Sequence, residues 1–183
     1  MNPVEDSLAL RVIRTSDMDK ETREKVVRLC IDAHEEDDFQ NLFSYLPREG
    51  LHVLAYLEEQ LVGHAVVTIR WLQAGKRPLL RTAYVDAVAT SPANQGRGIG
   101  SVVMRHLASI IDDCDIACLE TDRVAFYESL GWEEWLGPLG GRNAEGFTST
   151  PDQSGIMILR LARTPNLDLH QLLTIEAHPA RVW

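Results

Sequence analysis

Asn94-Gln95-Gly96-Arg97-Gly98-Ile99-Gly100, NQGRGIG in one-letter code, is the stretch from which the rest of the chain is best read. Glycine occupies every second position from Gly96 to Gly100, with a cation between the first two. Lacking a Cβ, such a backbone can pass close to a ligand. Just beyond it, Ile99, Val102, Val103, His106, Leu107 and Ile110 recur at helical spacing, so the loop opens a helix. The first N–H groups of a helix have no intrahelical acceptor, and the helix dipole favours negative charge beside them. Arg97 adds a side-chain donor. Phosphate is the natural occupant. A Walker A loop would need Gly-Lys-Ser/Thr, and a Rossmann loop would need glycine where Ser101 stands. A glycine-rich turn without a ligand is the alternative reading.

Upstream, "LALRVIRT" (Leu8 to Thr15) alternates apolar and polar residues as a strand does. Asp19 is placed to cap a helix whose stripe is Val26, Val27, Cys30 and Ile31 and which extends to about His34. The acidic "HEEDDFQNLFSYLP" predicts a short helix or an ordered loop ended by Pro47. Next comes a hairpin with its tip at Glu58, Glu59 and Gln60, then a third antiparallel strand, "LLRTAYVDAVAT", after the Gly75 to Pro78 turn. Downstream of the glycine loop and its helix, "DIACLE" reads as a buried strand and "VAFYESLG" as a short helix with Gly131 at its C′ position. "GPLGGRNAEGFTSTPDQSG" predicts a long loop, followed by a last strand, "IMILRL". The tail from Ala162 carries Leu167, Leu169, Leu172, Leu173 and Ile175, and is expected to dock on the domain or on a neighbouring subunit.

A chain of 183 residues with 45% hydrophobic content suits a single domain with one core. Its net charge of −9 repels phosphate backbones, which argues against nucleic acid as a partner. No apolar run approaches the ~18 residues of a membrane span, and no secretory leader is legible at the N-terminus, so a cytoplasmic location is expected. Cys30, Cys114 and Cys118 form no C-x-x-C pair and read as buried thiols. The six histidines show no metal-ligand spacing and read as core or solvated side chains.

The order of strand "AYVDAVAT", loop "SPANQGRGIG", long helix, strand "DIACLE" and short helix "AFYESLGW" resembles the GNAT superfamily of acyl-CoA-dependent N-acetyltransferases. The family's pyrophosphate signature, Gln/Arg-x-x-Gly-x-Gly/Ala, is met in register by Gln95, Gly98 and Gly100. The resemblance implies an α/β (α+β) fold with a central mixed, mostly antiparallel, splayed sheet and helices on both faces, in a single domain over 1–183 with a docked tail from about 162. It also implies acetyl-CoA as the cofactor, released as coenzyme A. Gln95, Gly96, Arg97, Gly98, Ile99, Gly100 and Ser101 would hold its pyrophosphate, and the backbone of Val88, Ala89 and Thr90 its pantetheine and thioester carbonyl. Tyr127 falls where the family usually has the residue facing the thioester sulfur.

Over most of the chain the resemblance extends to the aminoglycoside 2'-N-acetyltransferases, through "SDMDKETR", "DDF", "YVDAVAT", "TPDQSG" and the terminal "VW" in family order. Arg181 stands where that family's terminal motif usually carries an acid. A polycationic amine substrate and a homodimer are the partners it implies, with no nucleic acid, membrane or metal.

Acetyl transfer to an amine needs a base for the amine and a proton for the departing thiolate. Asp86 lies two residues before Val88 on its strand, so the two side chains share a face, and it is the candidate base. Its alternative is a structural hydrogen-bond acceptor. Tyr127, protonated at neutral pH, is the candidate acid, with core packing as its alternative. Asp37, Asp38, Asp86, Glu120, Asp152 and the Trp183 carboxylate are candidates for gripping several ammonium groups at once. Transfer to another amine, or an acyl-CoA-binding module without catalysis, are the competing readings.

Overall fold

Residues 8–177 and 182–183 of the chain are described in a computed structural model. They divide into two compact units, one comprising the chain up to Thr68 with Val85–Ile110, the other Ile69–Tyr84 with Ile111–Trp183. Strands β3 (Gln60–Ala74) and β4 (Leu80–Thr90) contribute residues to both.

In the first unit, β1 (Leu8–Arg14) and β2 (Leu51–Leu57) pair antiparallel, and β2 pairs antiparallel with β3. Helix α1 (Lys20–His34) begins where Asp19 Oδ1 accepts the Thr22 N–H at 2.7 Å. It ends at Glu35, in the left-handed region at φ 58, whose N–H reaches the Ile31 carbonyl. Val26, Leu29 and Cys30 bury one face of α1 against Leu54, Leu61, Val66, Ala87 and Ala89. The acidic segment forms a 3₁₀ turn, Asp37–Asn41, and a short helix α2 (Leu42–Tyr45). Helix α3 (Ile99–Ser109) lies so close on β3 at Gly63 that a Cβ there would meet Ile99 Cγ2 at 2.9 Å and Val103 Cγ2 at 3.3 Å.

The second unit has the strand order β6-β9-β5-β4-β3-β10-β7-β8. Strand β5 (Ile116–Glu120) runs parallel to β4, and β9 (Ile156–Arg160) antiparallel to β5. Between them come α4 (Val124–Glu128) and the two-residue β6 (Glu133–Glu134). The core here is built from Leu72, Tyr84, Ile116, Cys118, Trp135, Ile156, Ile158, Leu173, Ile175 and Trp183. All three cysteines are free and buried.

Two expectations are corrected. The long loop after Gly137 contains a hairpin, β7 (Leu139–Asn143) and β8 (Gly146–Ser149). Its glycines look like turn residues but serve close approach: a Cβ at Gly140 would lie 2.2 Å from Phe147 Cε2, and one at Gly141 2.8 Å from Val182 Cγ1. Second, "IMILRL" is not the last strand, because the tail returns as β10 (Leu173–Glu176), antiparallel to β3 and parallel to β7. Docking of the tail is therefore by strand addition as well as apolar packing. At the end of α4, Gly131 holds the expected C′ position: at φ 86 its N–H reaches the Glu128 carbonyl at 2.9 Å and the Trp132 N–H reaches the Tyr127 carbonyl at 3.1 Å.

Candidate active site

The glycine loop leaves β4 at Thr90, makes a 3₁₀ turn over Pro92–Asn94 and enters α3 at Gly98. Gly96 and Gly98 have φ of 73 and 85, which only glycine adopts without strain. Gly98 is the N-cap and supplies no side-chain cap, and the helical ladder starts with Val102 N–H on the Gly98 carbonyl at 3.1 Å. The N–H groups of Ile99, Gly100 and Ser101 thus precede the ladder, as an anion site at a helix start requires. A Cβ at Gly96 would meet no atom within 4 Å, so its glycine serves the backbone turn. Gln95 Nε2 donates to the Thr90 carbonyl at 3.3 Å, closing the loop's entry, and Arg97 Nη1 donates to Asn94 Oδ1 at 2.5 Å. Asn94 and Arg97 line an open groove of about 710 Å³ whose other wall is Leu57, Glu58, Glu59 and Gln60. The geometry fits a pyrophosphate at the helix start.

Just before the loop, β4 is kinked. Ala87 has φ 49, a left-handed value that costs a residue with a Cβ about 1–2 kcal/mol. Asp86, Val88 and Thr90 are half-buried while Ala87 and Ala89 are buried. Asp86 Oδ1 accepts the Ala87 N–H at 2.7 Å. The Ala87 carbonyl accepts from His64 Nδ1 at 2.7 Å, and the Val88 carbonyl from His34 Nε2 at 3.0 Å. His34 also stacks on Phe39, with ring centroids 4.9 Å apart, which ties the turn bearing exposed Asp37 and Asp38 to the segment that follows the kink.

In the second unit, Tyr127 on α4 is buried and meets Phe126 and Trp132 edge-on. Burial pushes its phenol up to about 12, with Arg123 opposing and Asp122 reinforcing the shift, so it stays protonated across the neutral range. Glu120 ends β5, and its Oε1 accepts from Gln153 Nε2 at 2.6 Å. The loop that carries Asp152 is pinned a second time where Thr121 N–H reaches the Gly155 carbonyl at 2.9 Å. Gly155 permits this contact: at φ 68 its Cβ would lie 1.9 Å from the Thr121 oxygen. The Trp183 indole is buried and donates to Thr150 Oγ1 at 3.2 Å, at the head of the same loop. Glu120, Asp152 and Trp183 are therefore gathered around one loop of this unit, while Asp37, Asp38 and Asp86 belong to the other. Arg181 lies outside the described residues.

Residues 48–134 match the model of the acetyltransferase (GNAT) domain. Over 179 residues, covering 94% of this chain and 91% of the relative, the sequence is 30% identical to an aminoglycoside 2'-N-acetyltransferase of Mycolicibacterium fortuitum. The chain belongs to the GNAT acetyltransferase family. Among solved GNAT-type structures, the fold resembles the N-acetyltransferase YhbS of Escherichia coli in complex with CoA, at TM-score 0.66 and 15% identity over 97% of this chain and 94% of that one. It also resembles an acyl-CoA N-acyltransferase of Pseudomonas aeruginosa, at TM-score 0.59 and 14% identity over 84% and 99%. Eis1 of Mycobacterium abscessus matches at TM-score 0.56 and 17% identity over 68% of this chain, which spans only 31% of that longer protein. These likenesses bear on the GNAT fold. The kink at Ala87 and the imidazoles that hold it escaped sequence reasoning; the available signal was a histidine inside each of the apolar runs "LHVLAYL" and "LVGHAVV".

Proposed function

We propose that this GNAT protein transfers acetyl from acetyl-CoA to an amine of an aminoglycoside, at the 2' position, by direct attack in a ternary complex. The observation that carries the reading is 30% identity to an aminoglycoside 2'-N-acetyltransferase over nearly the whole of both chains. Bound acetyl-CoA supplies an activated thioester. The chain's own residues do the rest. N–H groups at the start of α3 hold the pyrophosphate, with Gln95 bracing the loop. The backbone of Val88, Ala89 and Thr90, just beyond the left-handed turn at Ala87, orients the pantetheine and the thioester carbonyl. Asp86 accepts the amine's proton through a water, and the Tyr127 phenol delivers a proton to the departing thiolate.

A −9 chain suits a polycationic substrate, and Asp37, Asp38, Glu120 and Asp152 are exposed carboxylates able to attract ammonium groups. Thiol release from acetyl-CoA, measured over aminoglycosides with and without a 2'-amine, tests the proposal. Release confined to acceptors bearing the 2'-amine is the expected result. Release only with polyamines, amino sugars or peptide N-termini would transfer the same chemistry to another amine, and no release with any amine would leave acyl-CoA binding alone.

A further inference from the structure

His52 on β2 and His64 on β3 are fully buried. Buried imidazoles need partners at both ring nitrogens, and here the partners fix where each proton sits. The Ala87 carbonyl, 2.7 Å from His64 Nδ1, can only accept, so Nδ1 bears the proton. Burial holds the ring neutral by pushing its pKa down to about 4, so Nε2 is a bare acceptor. His52 Nδ1, 2.9 Å away, therefore donates to it. Burial also pushes His52 down to about 3, leaving its Nε2 to accept from the Thr15 hydroxyl at 3.0 Å. The Gly50 carbonyl, 3.1 Å from that hydroxyl, keeps the Thr15 N–H at 2.8 Å as its donor. Hydrogen bonds then run one way, from Thr15 through His52 and His64 to Ala87.

The chain of rings ends on the kink. Ala87 is a non-glycine residue in the left-handed region, and both of its backbone polar groups are held by side chains, the N–H by Asp86 and the carbonyl by His64. Cys30 Sγ, 3.9 Å from the same carbonyl, is a far weaker donor. A residue needed only to fill the core at position 64 would be served by leucine, whereas this geometry demands an N–H at one ring position.

We propose that His64 is a positioning residue for acetyl transfer: its Nδ1–H, set by His52 and Thr15, holds the left-handed turn at Ala87 and so directs Asp86 and the Val88 backbone on either side. The kinetic consequence rests on the roles proposed above for Asp86 and Val88, while the tautomer rests on the hydrogen-bond geometry of two buried, neutral rings. Asparagine carries an amide nitrogen where histidine has Nδ1, so His64→Asn keeps the donor and His64→Leu removes it.

The expected result is a fall in kcat of about 10-fold or more for His64→Leu, with the acetyl-CoA KM changed less than about twofold, and recovery to within about threefold of the parent in His64→Asn. A folded His64→Leu with parental kcat, or a His64→Asn as slow as His64→Leu, overturns the proposal. ¹⁵N NMR of the parent decides it independently. His64 protonated at Nδ1 and bare at Nε2 at pH 7 upholds the relay, and a proton on Nε2 overturns it. Should His64→Leu fail to fold, or should the parent acetylate no amine, that spectrum alone upholds or overturns the role of His64 at the kink, and the second case removes the functional reading separately.

Discussion

Lowering the pH from 7.5 to 5 should destabilise the folded chain by about 4 kcal/mol through His52 and His64 alone. Burial is the main cause of both shifts. Protonation of His64 and the charge on Arg23 lower His52 further, whereas the hydrogen bond to the Ala87 carbonyl and the charge on Asp86 work against burial at His64. Both folded values lie below the unfolded value of 6.5, so between them the unfolded chain binds more protons than the native one. The stability these rings contribute is complete above pH 6.5 and is lost as the pH falls toward about 4 and about 3. At pH 5 the unfolded imidazole is favoured by roughly 1.4 kcal/mol for each of the ~1.5 pH units below its pKa, about 2 kcal/mol per ring. Because both folded values are under 5, that figure is governed by the unfolded pKa. Urea unfolding at pH 7.5, 6 and 5 measures it, with His64→Asn, which removes one titrating ring, expected to lose about 2 kcal/mol less over the same interval. A parent whose unfolding free energy is level from pH 7.5 to 5 would refute the argument that these rings are buried and neutral.

Three further outcomes are expected. Gly98→Val puts a β-branched side chain at φ 85 beside the start of α3, and isothermal calorimetry should register a loss of acetyl-CoA affinity; a variant folded by circular dichroism that binds like the parent excludes the loop as the phosphate site. Tyr127→Phe should lower kcat by about 10²-fold with little change in acetyl-CoA binding, since a phenol pushed up to about 12 acts only as a proton donor near neutrality; unchanged kcat with chemistry rate-limiting assigns the proton elsewhere. Asp152→Asn should raise the aminoglycoside KM by a few-fold at most, in line with ~0.2–1 kcal/mol for an exposed contact, and leave the acetyl-CoA KM level; equal aminoglycoside KM in both proteins at low salt would remove Asp152 from the substrate set.

By itself the sequence determined what depends on local chemistry. Asp19 caps α1 as its side chain predicts, and the apolar stripe of α3 and the β-rich runs of β2 to β4 follow directly from residue order. The glycine loop was legible because a left-handed backbone at Gly96 and Gly98 and free N–H groups at a helix start are both written within seven residues. Tertiary structure alone decided the rest. Gly140, Gly141 and Gly155 read as turn signals, yet each admits a neighbour that any Cβ would strike, and no local pattern encodes a neighbour distant along the chain. Strand β10 was hidden in the tail for the same reason, since its partners lie about 100 residues upstream in β3 and about 34 upstream in β7. His52 and His64 read as core or solvated histidines until β2 and β3 pair, set His52 Nδ1 2.9 Å from His64 Nε2 and bring His64 Nδ1 to the Ala87 carbonyl. A hydrogen bond between side chains twelve positions apart depends on register and on the kink it supports, and those exist only in the folded chain.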